Sequence, residues 1–202
     1  MAEMLVLDAA RQSGLPFTVV RFGNVLGSRG SIIPLFKSQI ARGGPLTVTH
    51  PDMRRFFMTI PEAVYLVLQA ASMGQGGETF VLNMGEPIRI VDLAEDLIRL
   101  SGLEPNRDIE IVFTGTRPGE KLTEELWDVG TPLQRTPHPD IFRLVSSEPL
   151  GGSRLRSAVD TLQAASLHAD IAALIRILSE SVPGASIHEI QSQPVLDDSS
   201  LT

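Results

Sequence analysis

Phe17-Thr-Val-Val-Arg-Phe22-Gly-Asn-Val-Leu-Gly27-Ser-Arg-Gly30 reads as a strand running into a glycine-rich turn, and a helical pattern over Ser31–Arg42 follows it. The strand is β-branched and apolar on both faces, as a central strand of a parallel sheet must be. Such a strand needs neighbours on both edges and helices above and below. Met1–Ser13 before it is a helix with Gly14 as its C-cap. After it come short strands at Leu46–Val48 and Arg55–Met58, then a helix from Pro61 to Met73. The apolar stripe of that helix reads as Ala63, Val64, Val67, Leu68 and Ala71. Thr79–Asn83 is the next strand, Asp92–Leu100 a helix ended by Gly102, and Ile109–Thr114 a further strand. Thr131–Asp140 holds three prolines and reads as loop, before a last strand at Ile141–Val145. Ser153–Ala165 and His168–Val182 form a helical hairpin. The alternation predicts an α/β unit whose sheet is incomplete.

The 202 residues are one domain's worth of chain, and 43% hydrophobic with 20% charged residues is ordinary for a globular protein. No apolar run approaches the ~20 residues of a membrane span. Cysteine is absent, which excludes disulfides and thiolate metal sites. A net charge of −7 argues against a nucleic-acid partner, which would need a basic face. An anionic small molecule remains compatible, since a few local arginines outweigh a modest global charge.

Two segments carry the chemistry. Phe113-Thr-Gly-Thr-Arg-Pro-Gly-Glu-Lys-Leu-Thr-Glu-Glu-Leu126 puts Arg117 and Glu120 on a tight turn just after a strand. A guanidinium there can grip a diphosphate bidentately, and a carboxylate three residues on can accept hydrogen bonds from a ribose diol. The other reading is a plain surface turn followed by an amphipathic stretch. Thr49-His-Pro-Asp-Met-Arg-Arg-Phe-Phe-Met-Thr-Ile-Pro-Glu-Ala63 supplies a second arginine pair. Strand alternation sends Arg55 and Phe57 to one side, Arg54 and Phe56 to the other.

Together with Arg21-Phe-Gly-Asn-Val-Leu-Gly-Ser-Arg-Gly-Ser31, Phe80-Val-Leu-Asn-Met-Gly-Glu-Pro87, Ile90-Val-Asp-Leu-Ala94 and Leu97-Ile-Arg-Leu-Ser-Gly102, these segments resemble the CapD-like polysaccharide-biosynthesis dehydratases and epimerases. Those enzymes are extended short-chain dehydrogenase/reductases acting on nucleoside-diphosphate sugars. The resemblance runs over about residues 1–183, the second half of the family's catalytic unit, and leaves 184–202 as a tail expected to be disordered. It implies a partial Rossmann-like fold with its substrate-binding region, lacking the dinucleotide-binding half. It implies substrate-binding roles for Asn24, Arg55, Arg117 and Glu120. Asn24 would hydrogen-bond the diphosphate, the two arginines would flank it, and Glu120 would hold the ribose hydroxyls. It implies a 4,6-dehydratase, with an epimerase or a non-catalytic nucleotide-sugar-binding module as alternatives. NAD(P) belongs to the complete enzyme, and none is expected for this chain alone. The implied partners are a UDP-sugar or other nucleoside-diphosphate sugar and either an N-terminal half or further copies of the chain. The implied location is the cytoplasm or the cytoplasmic face of a membrane.

Several patterns are set aside. The Gly23–Gly30 spacing imitates a dinucleotide-binding turn, but the next short strand ends in Thr49-His50 rather than in an acidic residue. The family's Tyr-x-x-x-Lys pair is not found: the one tyrosine, Tyr65, has Gln69 four residues on. No catalytic residue is therefore assigned. His50, His138, His168 and His188 have no metal-ligand spacing. Glu124-Glu125 reads as solvated charge, and Trp127 as a core or interface filler.

Overall fold

The computed structural model describes residues 1–117, 119–127, 130–145 and 150–182. The expected tail at 184–202 lies outside the described residues. Helix α1 (Ala2–Ser13) buries Met4, Leu7 and Ala10 and stops at Gly14, whose φ of 69° is the left-handed conformation that glycine tolerates best. Then follow β1 (Val19–Arg21), β2 (Asn24–Val25), α2 (Ile32–Ala41), β3 (Leu46–Val48), β4 (Arg54–Arg55), β5 (Phe57–Met58), α3 (Ile60–Met73) and β6 (Thr79–Leu82). The chain continues through β7 (Ile88–Arg89), α4 (Ile90–Leu100), β8 (Ile111–Phe113), β9 (Leu133–Arg135), β10 (Ile141–Leu144), α5 (Gly152–Leu167) and α6 (Ile171–Ser181).

Among the described residues, two hydrophobic cores organise the elements from β1 to β10. The first surrounds a sheet of order β1-β6-β10-β9, in which β1 runs parallel to β6 and β10 antiparallel to both its neighbours. All four residues of β6 are buried, and α3 covers it with Ala63, Leu66 and Ala70. The second core lies under α2 and α4. There Phe36, Ile40, Ala94 and Ile98 close over the parallel pair β3–β8 through Leu46, Val48 and Ile109. The Arg54–Met58 stretch joins them: Phe56 and Met58 pack into the first core, Phe57 into the second. Period-two alternation therefore holds across this stretch.

The structure corrects several expectations. Arg55–Met58 is not one strand; β4 pairs antiparallel with β7 and β5 parallel with β2, because the chain changes partner at Phe56. The face of α3 is rotated from the predicted stripe, so Val64 and Leu68 stand 54% and 64% exposed and Ala71 is exposed too. Residues 133–135 form an edge strand where loop was expected, since the prolines at 132, 137 and 139 flank the ladder rather than interrupt it. Trp127 is 37% exposed, which removes the core reading and leaves the interface one. β1 is shorter than Phe17–Phe22 and only half-buried, with β6 as its one strand neighbour among the described residues.

Gly23 is needed for packing. A Cβ there would stand 2.8 Å from the Cβ of Phe56, so any other residue would push β2 off the Arg54–Met58 stretch.

Candidate functional site

Strands β3 and β8 run parallel and end side by side at Val48 and Phe113. Beyond their carboxyl ends, where open α/β sheets generally place ligands, a cleft of about 660 Å³ opens. Thr49 comes from the end of β3, Thr114 to Arg117 from the end of β8, Ile32 and Leu35 from the first turn of α2, and Asn24 from β2. Arg55 and Glu120 complete the wall. All four residues expected to bind substrate thus meet in one cavity, although they come from three separate stretches of chain.

Their environments differ. The Arg55 side chain is 18% exposed, and its guanidinium is extensively bonded. Its Nη1 donates to the carbonyls of Arg54 (2.7 Å), Lys121 (3.0 Å) and Leu122 (3.2 Å). Its Nη2 approaches Glu120 Oε1 at 3.5 Å. Glu120 Oε2 accepts from the Arg117 backbone N–H at 3.0 Å, and the Glu120 N–H donates to the Arg117 carbonyl at 3.0 Å. The turn is therefore closed on itself, with Gly119 at φ 78°. Arg117 is exposed, and its guanidinium has no protein partner among the described residues. Arg54 is also exposed, but β4 lies between β7 and a bridge to Thr123, and the residue does not line the cleft.

The cleft holds two cations, one carboxylate and one carboxamide over an apolar floor that includes Met53 and Ile90. That balance suits a dianionic group beside a vicinal diol. Among the described residues, Arg55, Arg117 and Glu120 are the ionisable side chains that line it. The threonines at 47, 49, 114 and 116 also line it and were given no role from the sequence. Their signal was the Thr-x-Thr spacing at the ends of both strands.

A second cleft of about 510 Å³ lies past the end of β6, lined by Tyr65, Met84 and His138. Its charged groups, Glu62 and Asp140, are carboxylates that would repel a phosphate. Tyr65 and His138 pack edge to face there, ring centroids 5.8 Å apart, while the His138 imidazole accepts from the Asp140 N–H. Among the described residues no group of histidines and carboxylates could hold a metal ion. Glu125 pairs with Lys121 at 2.7 Å as a surface charge should, but Glu124 keeps one oxygen buried without a hydrogen-bond partner, which corrects the solvated reading.

Part of the Gly23–Gly30 backbone is bonded within the protein. The amides of Asn24 and Leu26 bond to the carbonyls of Phe56 and Met58, and those of Ser28 and Ser31 close the turn internally.

The polysaccharide biosynthesis protein family matches residues 1–146. The chain belongs to that family. Within this CapD-like group, it is 64% identical over 127 residues to the capsular polysaccharide biosynthesis protein CapD of Staphylococcus aureus, covering 62% of this chain and 21% of that protein. It is 41% identical over 129 residues to a UDP-glucose 4-epimerase of Rickettsia canadensis, covering 62% and 36%. The crystal structure of Pen from Bacillus thuringiensis superposes with a TM-score of 0.62 at 42% identity, over 76% of this chain and 47% of that one. The chain thus spans less than half the length of each of these relatives. Nucleotide-sugar dehydratases and epimerases share the fold at 20–23% identity, with TM-scores of 0.50–0.54. One of them, a dTDP-glucose 4,6-dehydratase from Bacillus anthracis, was solved with NAD. The fold is accordingly part of a Rossmann-like extended short-chain dehydrogenase/reductase. Among the described residues no helix is long and apolar enough to cross a membrane.

Proposed function

We propose that this chain is the substrate-holding portion of a nucleoside-diphosphate-sugar 4,6-dehydratase of polysaccharide biosynthesis. Arg55 and Arg117 flank the diphosphate, Asn24 donates to a phosphoryl oxygen, and Glu120 accepts from the ribose hydroxyls through Oε1, the oxygen that the turn does not already use. One observation carries this reading: residues far apart in sequence converge on a single cleft at the carboxyl ends of β3 and β8. Resemblance to a UDP-glucose 4-epimerase favours a second reading, an epimerase built on the same grip. The two share the substrate class and differ in residues that would act on the sugar.

What this half contributes is orientation. Two charge-assisted grips on a diphosphate fix the nucleotide end, so the sugar projects in one direction. NAD accompanies structures that share this fold, and the residues named above would hold the nucleotide sugar rather than that cofactor.

Calorimetric titration of the purified chain with UDP tests the proposal. Saturable binding that weakens steadily as sodium chloride rises is expected, because charge-assisted contacts dominate. Binding indifferent to salt, or no binding, would remove the diphosphate grip from the account.

A further inference from the structure

Arg21 stands at the end of β1 and does not line the cleft, yet it reaches the segment that does. Its Nε and Nη2 donate to the two carboxylate oxygens of Glu3 on α1, at 2.9 and 2.8 Å. Its Nη1 donates to the Leu126 carbonyl at 3.2 Å. Glu3 is itself held by the Thr79 hydroxyl at 3.2 Å. The guanidinium fork therefore joins α1, the sheet and residue 126 through one planar group.

The described residues of 119–127 form no helix or named strand. A stretch without its own ladder takes its position from the few groups that hold it. At the front, Arg55 holds the carbonyls of Lys121 and Leu122, and the Arg54 N–H donates to the Leu122 carbonyl at 2.7 Å. At the back, Arg21 holds Leu126, whose side chain is buried in the first core. Glu120 and Arg117 sit just ahead of the front tie.

We infer that Arg21, fixed by Glu3, is a positioning residue for the diphosphate cleft. It sets the path of 119–127 so that the Arg117–Glu120 turn faces Asn24 and Arg55. The role rests on the nucleotide-binding reading above. It requires arginine, since the ammonium of a lysine cannot span a bidentate carboxylate and a third carbonyl in one plane. It also makes α1 a remote handle on ligand affinity.

Glu3→Gln and Arg21→Lys, each nearly isosteric in reach, test it alongside the unaltered chain. UDP affinity is read by calorimetry, fold by far-ultraviolet circular dichroism, and the local path by emission of Trp127, the single tryptophan. Both variants should keep their helical signal, bind UDP about tenfold more weakly, as coupled remote substitutions do, and shift Trp127 emission to the red. UDP affinity equal to that of the unaltered chain overturns the inference, whatever happens to thermal stability or emission. Loss of fold in both variants also overturns it, because the pair would then hold the sheet rather than the turn. If the unaltered chain does not bind UDP, the nucleotide-binding reading itself fails, and the inference with it.

Discussion

The two cores of this molecule are unequal in a way that bears on function. The smaller, built by α2 and α4 over β3 and β8, covers its strands with its own helices: Phe36, Leu46, Ala94 and Ile98 are fully buried. The larger, around β6, has a buried centre but unfinished flanks. Beside it α1 and α3 leave Leu5, Val6, Val64, Tyr65 and Leu68 exposed, and Leu15, Phe17 and Phe22 stand out around β1, against Leu35 and Leu100 on α2 and α4. Most of the candidate cleft is lined by residues of the finished part, from Thr47 to Met53 and from Ile90 to Arg117. Most of the cleft wall thus belongs to the smaller core, and its tie to the larger one runs through the Arg54–Met58 stretch and the Arg21–Leu126 bond.

Damage to the small core should show most strongly. Phe36→Ala removes a fully buried ring and should cost about 3–5 kcal/mol. UDP binding should be lost with it, since α2 and β3 both border the cleft. A variant of that stability loss with unchanged UDP affinity would uncouple the cleft from its supporting core.

A smaller effect is expected at the entry to α3. Thr59 accepts from the Glu62 N–H, and Glu62 returns a bond to the Thr59 N–H, a complete capping box. Thr59→Ala should lower stability by about 1 kcal/mol in the sheet region while leaving UDP affinity unaltered. The Thr59 hydroxyl and backbone N–H together hold the Glu62 carboxyl below its ordinary range. A depressed folded-state pKa stabilises above the unfolded value and ceases to do so as pH falls through the folded one. Thermal midpoints should thus drop on acidification below about pH 4.5, the ordinary value, and Glu62→Gln should flatten that part of the profile. An unchanged profile in Glu62→Gln would show that the cap contributes nothing to it.

The smallest stability change belongs to the exposed face of α3. Val64→Lys with Leu68→Lys should alter unfolding free energy by less than about 0.5 kcal/mol per site. It should nonetheless reduce self-association seen in sedimentation, because two exposed apolar neighbours one turn apart become charged. Strong destabilisation would mean that this face is packed after all.

The legible parts of the fold were those with a single periodic answer. The strand expected at Thr79–Asn83 and the helix expected at Asp92–Leu100 both form, as Thr79–Leu82 and Ile90–Leu100. Helix α3 was misphased because Ala63, Val64, Leu66, Val67, Leu68, Ala70 and Ala71 surround it with apolar side chains, so period alone cannot choose a face. At the cleft, the segments bearing Arg55, Arg117 and Glu120 were legible from their motifs. The bonds of Arg55 to the carbonyls of Lys121 and Leu122 were not, since they depend on a stretch without secondary structure. Nor was the Arg21–Glu3 pair, which joins a helix to a strand eighteen positions on with no local signal.

Arg55 supports the backbone as well as facing the cleft, so its removal would mix two effects. Arg117, with no protein partner among the described residues, gives the cleaner measurement. UDP affinity of Arg117→Ala should fall by roughly 1.5–3 kcal/mol, with thermal stability unchanged. Arg54→Ala, exposed and outside the cleft, should bind as the unaltered chain does. Equal losses at Arg54 and Arg117, or no loss at Arg117, would contradict a diphosphate held in this cleft.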